Sequence, residues 1–212
     1  MVRASLLALV VLLVACGGSS NPAPTGPDTA SVSVQPGDVP HGMVRCDLSG
    51  DINNFIQKER SPAQGPSNSA SSEWADAQKN GATSAYVAIY TDNAAQCAAI
   101  KSNETNISAA AYRLVVNFVV EFKDEASAVR TYTTGSIFNE SASSLRSSQS
   151  QAIEGTKTGL TANSVAVSET IANQTFYIAL WQNKAFVVYL VTLNLTPPAS
   201  QKIATSVNGR IS

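Results

Sequence analysis

Residue types that could support acid–base or nucleophilic chemistry occur without a recognisable partner in this sequence. His41 is the only histidine, and it lies between Pro40 and Gly42. A serine or cysteine nucleophile needs a base placed against it. The sequence contains no G-x-S-x-G motif, which would mark a nucleophilic serine. His41 therefore indicates a surface side chain, and the sequence predicts no catalytic residue.

Clustered oxygen side chains are the next candidates for chemistry, because hard cations bind carboxylate and amide oxygens. Asp47, Asp51, Asn53 and Asn54 lie close together, but their spacing matches no cation-binding loop. Asp47 also has a simpler role as a helix cap. Residues 155–159 contain two glycines without the spacing of a phosphate loop. The sequence therefore predicts no metal site and no cofactor.

Cysteine gives the clearest chemical signal, at the end of an apolar N-terminal run. Arg3 is followed by an apolar stretch from Ala4 to Ala15 that only Ser5 interrupts. About a dozen residues at roughly 1.5 Å each fall well short of a bilayer core of about 30 Å, which favours a secretory signal over a spanning helix. The closing tetrad Leu13-Val14-Ala15-Cys16 resembles the lipobox of bacterial lipoproteins.

This resemblance implies a processed and anchored protein. Residues 1–15 would be a cleaved signal peptide, and Cys16 would carry lipid as the mature N-terminus. Several acyl chains on one residue hold a protein firmly, since each buried CH₂ contributes roughly 0.8 kcal/mol. The expected location is the cell envelope, on the outer side of the cytoplasmic membrane or in the outer membrane, with the lipid anchor as the contact to the membrane.

The two remaining cysteines, Cys46 and Cys97, are predicted to form a disulfide. An envelope location favours oxidation, and an even number of cysteines remains once Cys16 is assigned to lipid. The alternative is that Cys97 is a small buried apolar residue within its alanine-rich segment.

The formal net charge of −1 and the scattered lysines and arginines argue against a nucleic-acid partner, which needs a clustered basic surface. Residues 16–39 consist mainly of small and polar residues with Pro and Gly, and too little apolar surface remains to offset the entropy of ordering them. We therefore expect a lipidated cysteine and a flexible linker over 16–39, followed by one globular domain over 40–212.

Sequence patterning predicts that this domain is α+β, with an antiparallel or mixed sheet of about five strands covered by helices. Caps at Asp47 or Ser49, Asp92, Asp124 and Thr196 begin the expected helices, and Ser-rich residues 136–163 are the expected place for a covering loop or lid. The strands are expected at residues 84–90, 111–123, 164–170, 175–181 and 185–195.

The last two strands form a predicted hairpin with a turn at residues 182–184, and both are apolar on both faces. Such strands are central and covered on each side, or one side lines an apolar cavity. The aromatic residues that could line such a pocket are Trp74, Tyr177, Trp181 and Tyr189; aromatics at strand spacing are more often ordinary core.

These features together favour a membrane-anchored, non-enzymatic lipoprotein with an accessory or sensor-like domain that binds an envelope protein or a small ligand. An alternative is a carrier of an apolar or lipid-like molecule, which the two-sided apolar hairpin motivates. A third possibility is a hydrolase acting on an envelope polymer, for which serines are the only candidate nucleophiles.

Overall fold

The structure is a computed structural model that describes residues 26–59, 68–102, 110–138, 140–148, 151–171 and 173–211. The predicted signal peptide and the predicted lipidation site Cys16 lie outside these residues. The helices are α1 (Thr29–Val32), α2 (Ile52–Glu59), α3 (Asn68–Lys79), α4 (Ala94–Lys101), α5 (Glu125–Thr134), α6 (Ala142–Ser148) and α7 (Pro197–Gly209). The strands are β1 (Val44–Arg45), β2 (Gly50–Asp51), β3 (Ala82–Thr91), β4 (Leu114–Phe122), β5 (Ile153–Glu154), β6 (Ser164–Ile171), β7 (Gln174–Asn183) and β8 (Phe186–Leu193).

The strands form one antiparallel sheet in the order β1-β3-β4-β8-β7-β6-β5, and β2 pairs with β3 beside β1. The α+β class is confirmed, whereas the predicted number of about five strands is wrong, because the sheet has eight. The five long strands coincide with the five predicted ones. The additional strands β1, β2 and β5 have two residues each, which is too short for an alternating pattern to appear in the sequence.

Both faces of the sheet are covered, which gives three layers. Face A, the side to which Val87, Val120 and Val187 point, packs against helices α2 to α6. Face B, the side to which Tyr90, Val119 and Val188 point, packs against α7 and the segment before β1. The alternation of side chains along each strand supplies both apolar faces.

Local capping chemistry explains where several helices begin. The Asp124 carboxylate accepts a hydrogen bond from the Ser127 N–H at 2.7 Å, and Thr196 caps α7 with Pro197 at its first position, both as predicted. The predicted cap at Asp92 is wrong. Asn93 caps α4, and the Asp92 carboxylate instead binds the backbone N–H and the guanidinium of Arg113 at 2.8 and 2.6 Å.

Residues 28–39, which we call the N-terminal strap, are packed on face B. Val32, Val34 and Val39 are buried there, and α1 lies against β3 and β4. The predicted flexible linker as far as residue 39 is therefore wrong for this part of the chain. The three valines are spaced among polar residues, and they pack against apolar side chains of face B. The apolar surface that they bury there favours an ordered strap over a flexible one.

The predicted disulfide is confirmed. Cys46, directly after β1, is bonded to Cys97 in α4, and their Cα atoms are 5.2 Å apart. Both residues belong to the core of face A, so the bond attaches α4 to that face. Within the described ranges, the structure contains no helix with the length and apolar composition needed to cross a bilayer.

Candidate functional site

The four aromatic residues predicted to line one pocket lie on opposite sides of the sheet. Trp74 and Tyr189 belong to the core of face A, whereas Tyr177 and Trp181 belong to the core of face B. All four are buried. Since the sheet separates the two pairs, the predicted aromatic pocket is not formed, and these residues act as core on both faces.

A different apolar surface is accessible on face A, at the centre of the sheet. Val116, Val191 and Ile178 are direct cross-strand neighbours on β4, β8 and β7, and each is only partly buried. Their neighbours on face B, Val115 and Leu190, are fully buried. An antiparallel sheet can leave one face in contact with water, usually with polar side chains on that face, so this row of partly buried aliphatic side chains is uncommon.

Helix placement explains why this row is left accessible. Helices α2, α3 and α4 pack on β3, α6 packs on β6, and α5 contacts β4, β7 and β8. The row on β4, β8 and β7 therefore lies between β3, which α2 to α4 cover, and β6, which α6 covers. We call it the apolar groove, and its floor consists of Val116, Phe118, Phe176, Ile178 and Val191. Two interstrand spacings make this floor roughly 10 Å wide.

Aromatic rings close one end of the apolar groove. Phe118 on the floor contacts Phe138 with ring centroids 4.1 Å apart, and Phe55 meets it edge-on at 5.8 Å. Tyr189 lies beside the same ring at 6.4 Å. Phe138 has a φ of 49°, an uncommon conformation for a residue with a bulky side chain. It belongs to the segment predicted to hold a covering loop, and its ring lies against the groove floor.

Polar groups at the groove are few. Burial raises the pKa of the Tyr189 hydroxyl, and the nearby Glu140 carboxylate raises it further, so this phenol stays neutral over the physiological range. Within the described part of the chain the buried Tyr112 hydroxyl has no hydrogen-bond partner, and its ring packs against the core of face A. A mainly apolar floor with one neutral phenol beside it suits binding by burial of apolar surface.

Other chemical candidates do not assemble in the described part of the chain. His41 is exposed, and no group of three or more His, Cys, Asp and Glu side chains is placed to hold a metal ion among the described residues. A concavity of about 390 Å³ lies beside the disulfide, between Val44 and the alanines of α4. Of its charged residues, Asp47 and Lys101 are paired with each other at 3.1 Å, and Arg45 donates to the Tyr86 hydroxyl.

Sequence reasoning missed the residues of the groove floor as a site, although it contained part of the signal. The two-sided apolar hairpin pointed to a core or a cavity on one side, and the groove uses Ile178 and Val191 of that hairpin. The distinction between covered and accessible positions depends on where α5 and α6 pack, which no local pattern encodes.

Comparison with known proteins gives a likeness of fold. No protein-family model matches the chain, and no curated protein matches it. Among solved structures, the chain is similar to the extracellular domain of PknH from Mycobacterium tuberculosis, with 12% sequence identity and a TM-score of 0.50. The match covers 86% of this chain and 94% of that one. The α+β architecture is thus shared with an extracellular domain.

Proposed function

We propose that this protein is a membrane-anchored envelope lipoprotein whose sensor-like domain binds an apolar ligand, free or displayed by an envelope partner, in the apolar groove. The observation that carries the proposal is the row Val116, Val191 and Ile178, which is only partly buried at the centre of the sheet. Leaving such side chains exposed to water costs free energy that a bound apolar group would recover. The fold shared with an extracellular domain supports the envelope location.

The anchor is the first part of the proposal, and it depends on Cys16 in the tetrad Leu13-Val14-Ala15-Cys16. Mass spectrometry of the mature protein from its native envelope should find an N-terminal Cys16 with the added mass of acyl chains. A Cys16→Ser variant should lose that mass and partition into the aqueous phase of a detergent extraction. An unmodified Cys16 in the mature protein would refute the anchor.

Binding at the groove is the second part, and it can be measured with the neutral fluorescent probe N-phenyl-1-naphthylamine. The chain from residue 17, which lacks the lipid-bearing Cys16 and has its disulfide formed, should bind the probe with a saturable increase in fluorescence. Val191→Asp places a charge on the groove floor, and Ile178→Trp fills the groove without adding charge. We expect either change to weaken probe binding by roughly tenfold or more. Each variant removes the contact between the probe and an aliphatic side chain of the groove floor.

A matched control for these variants is Val44→Asp, because Val44 is a strand valine that is 38% exposed outside the groove. This variant should bind the probe like the unchanged protein. Binding that is equally weakened by Val44→Asp, or unaffected by both groove variants, would show that the probe does not occupy the groove.

Carriage of an apolar molecule is the second candidate function, and the apolar character of the groove floor favours it. A carrier releases its ligand to another membrane, whereas a sensor retains it or passes a signal to a partner. Organic extracts of the purified protein should contain a co-purified apolar molecule if it is a carrier, and the protein should accelerate transfer of N-phenyl-1-naphthylamine between two vesicle populations. Binding without accelerated transfer would favour the sensor.

A further inference from the structure

We infer that the N-terminal strap on face B regulates the affinity of the apolar groove on face A, through the side chain of Asn117 and the backbone of Tyr189. This inference rests on the proposed function, since it concerns the regulation of the same groove. It assigns a role to residues 28–39, which lie between the predicted anchor and the sheet.

The strap is held to the sheet through both backbone polar groups of Val34. The Val34 N–H donates to Asn117 Oδ1 at 3.0 Å, and the Tyr90 hydroxyl donates to the Val34 carbonyl at 3.2 Å. Val34 is 1% exposed and Asn117 is fully buried. Two side chains of the sheet thus provide the hydrogen bonds for the backbone N–H and carbonyl of Val34, which is not part of a strand.

The same side chain reaches the strand that carries the groove. Asn117 Nδ2 donates to the Tyr189 carbonyl at 3.2 Å. Phe118, the next residue along β4, points to the opposite face and forms part of the groove floor, and it pairs with Tyr189 in register. One buried amide therefore links the strap to two neighbouring residues whose rings lie at the groove.

Release of the strap would disturb this arrangement in a definite direction. Asn117 Oδ1 would lose its donor and become open to water on face B, and the side chain would then turn towards solvent and leave the Tyr189 carbonyl. Loss of that hydrogen bond loosens the contact between β4 and β8 at the groove. A seated strap therefore holds the floor in its binding geometry, and by linkage a bound ligand stabilises the seated strap.

The strap has a second attachment that can be weakened without altering Asn117, Tyr189 or the groove. Arg210 donates to the carbonyls of Val32 and Ser33 at 3.1 and 2.9 Å and binds the Asp38 carboxylate. Asp38→Asn and Arg210→Gln weaken this attachment. Lys202→Gln is the matched control, because Lys202 is an exposed residue of α7 in the same layer.

The experiment measures two quantities in the chain from residue 17. One is the dissociation constant for N-phenyl-1-naphthylamine, and the other is the hydrogen-exchange rate of the Val34 amide by NMR. We expect Asp38→Asn and Arg210→Gln to speed exchange at Val34 and to weaken probe binding by roughly fivefold or more. The probe should slow Val34 exchange in the unchanged protein, and Lys202→Gln should alter neither quantity.

Each other outcome overturns the inference in a way that identifies the cause. If the strap variants speed Val34 exchange but leave probe affinity within twofold, the strap and groove are independent while the groove proposal stands. If the unchanged protein does not bind the probe, or Val191→Asp leaves binding unaltered, the proposed function fails and the inference fails with it. Urea titration identifies any variant that is not folded, and Asp28→Ala, which removes the cap of α1, then replaces it as the strap variant.

Discussion

Arg210, at the end of α7, binds Asp38 of the N-terminal strap with two hydrogen bonds, from Nη1 to Oδ1 at 3.1 Å and from Nη2 to Oδ2 at 2.7 Å. The Asp38 side chain is 11% exposed and that of Arg210 is 29% exposed. Two parallel bonds between a planar guanidinium and a carboxylate fix both direction and distance. The pair joins two segments that are 172 residues apart in the sequence.

Removal of this pair should lower the stability of the whole domain. We expect Asp38→Ala to reduce the free energy of unfolding by about 2 kcal/mol, since it leaves a partly buried guanidinium without its carboxylate. Urea titration followed by circular dichroism measures the change. The control is Asp76→Ala, whose partner Lys79 is an exposed neighbour on α3, and it should alter stability by less than about 0.5 kcal/mol. Equal effects of the two variants would contradict the assignment.

Reduction of the disulfide should have a larger effect. Cys46 and Cys97 close a loop with a sequence separation of 51, for which the chain-entropy model gives about 4 kcal/mol. The double variant Cys46→Ser with Cys97→Ser should unfold at a clearly lower urea concentration. Dithiothreitol should shift the unchanged protein to a similar midpoint and leave the double variant unaffected. A shift of the double variant by dithiothreitol would show that another thiol or bond responds.

Two buried tyrosines on face B should respond in opposite directions to loss of their hydroxyl. The Tyr177 hydroxyl is buried without a hydrogen-bond partner among the described residues, so Tyr177→Phe should stabilise the protein by roughly 1 kcal/mol. The Tyr90 hydroxyl donates to the Val34 carbonyl, so Tyr90→Phe should destabilise it by a similar amount. Urea titration of both variants tests the pair, and a loss of stability in Tyr177→Phe would refute the assignment.

Tyr177 should also make the protein sensitive to alkali. Burial raises the pKa of Tyr177 to about 12 from its ordinary value of 10.0, so the unfolded chain loses this proton at a lower pH than the folded one. Stability is then fully present below pH 10 and falls as the pH rises from about 10 towards 12, by up to about 1.4 kcal/mol per pH unit for this group.

Burial also raises the pKa of Tyr90, Tyr132 and Tyr189, and these groups act in the same direction. Tyr177→Phe should therefore make the decline between pH 10 and 12 shallower without abolishing it. Urea midpoints at several pH values measure this slope. An unchanged slope in the variant would show that Tyr177 does not titrate differently in the two states.

The position of the hairpin turn between β7 and β8 explains why the predicted aromatic pocket is not formed. A turn at residues 182–184 would pair Trp181 with Ala185 and place Tyr177 opposite Tyr189. The structure instead pairs Asn183 with Phe186 around a two-residue turn, in which Lys184 has a φ of 51°. This shift of three residues in the pairing register puts Tyr189 opposite Leu180, and because the shift is odd it moves Tyr189 to the other face.

Short-range physics accounts for most of what the sequence could predict. The caps at Asp124 and Thr196 depend on a side chain and an N–H three residues apart, and the long strands depend on alternation along their own length. Asp92 had the same local signal as Asp124, yet the guanidinium of Arg113, 21 residues away, binds its carboxylate. A local sequence pattern contains no information about a partner residue that folding brings close from a distant part of the chain.

By itself the sequence determined the α+β class, the long strands, the starts of α5 and α7 and the pairing of Cys46 with Cys97, because these follow from local periodicity, capping and cysteine count. Only the tertiary structure decided that residues 28–39 pack on the sheet through Val34 and Asn117. Only it decided that Val116, Val191 and Ile178 remain accessible. The physical reason is that burial is set by what packs over a residue, and the covering segments come from distant parts of the chain.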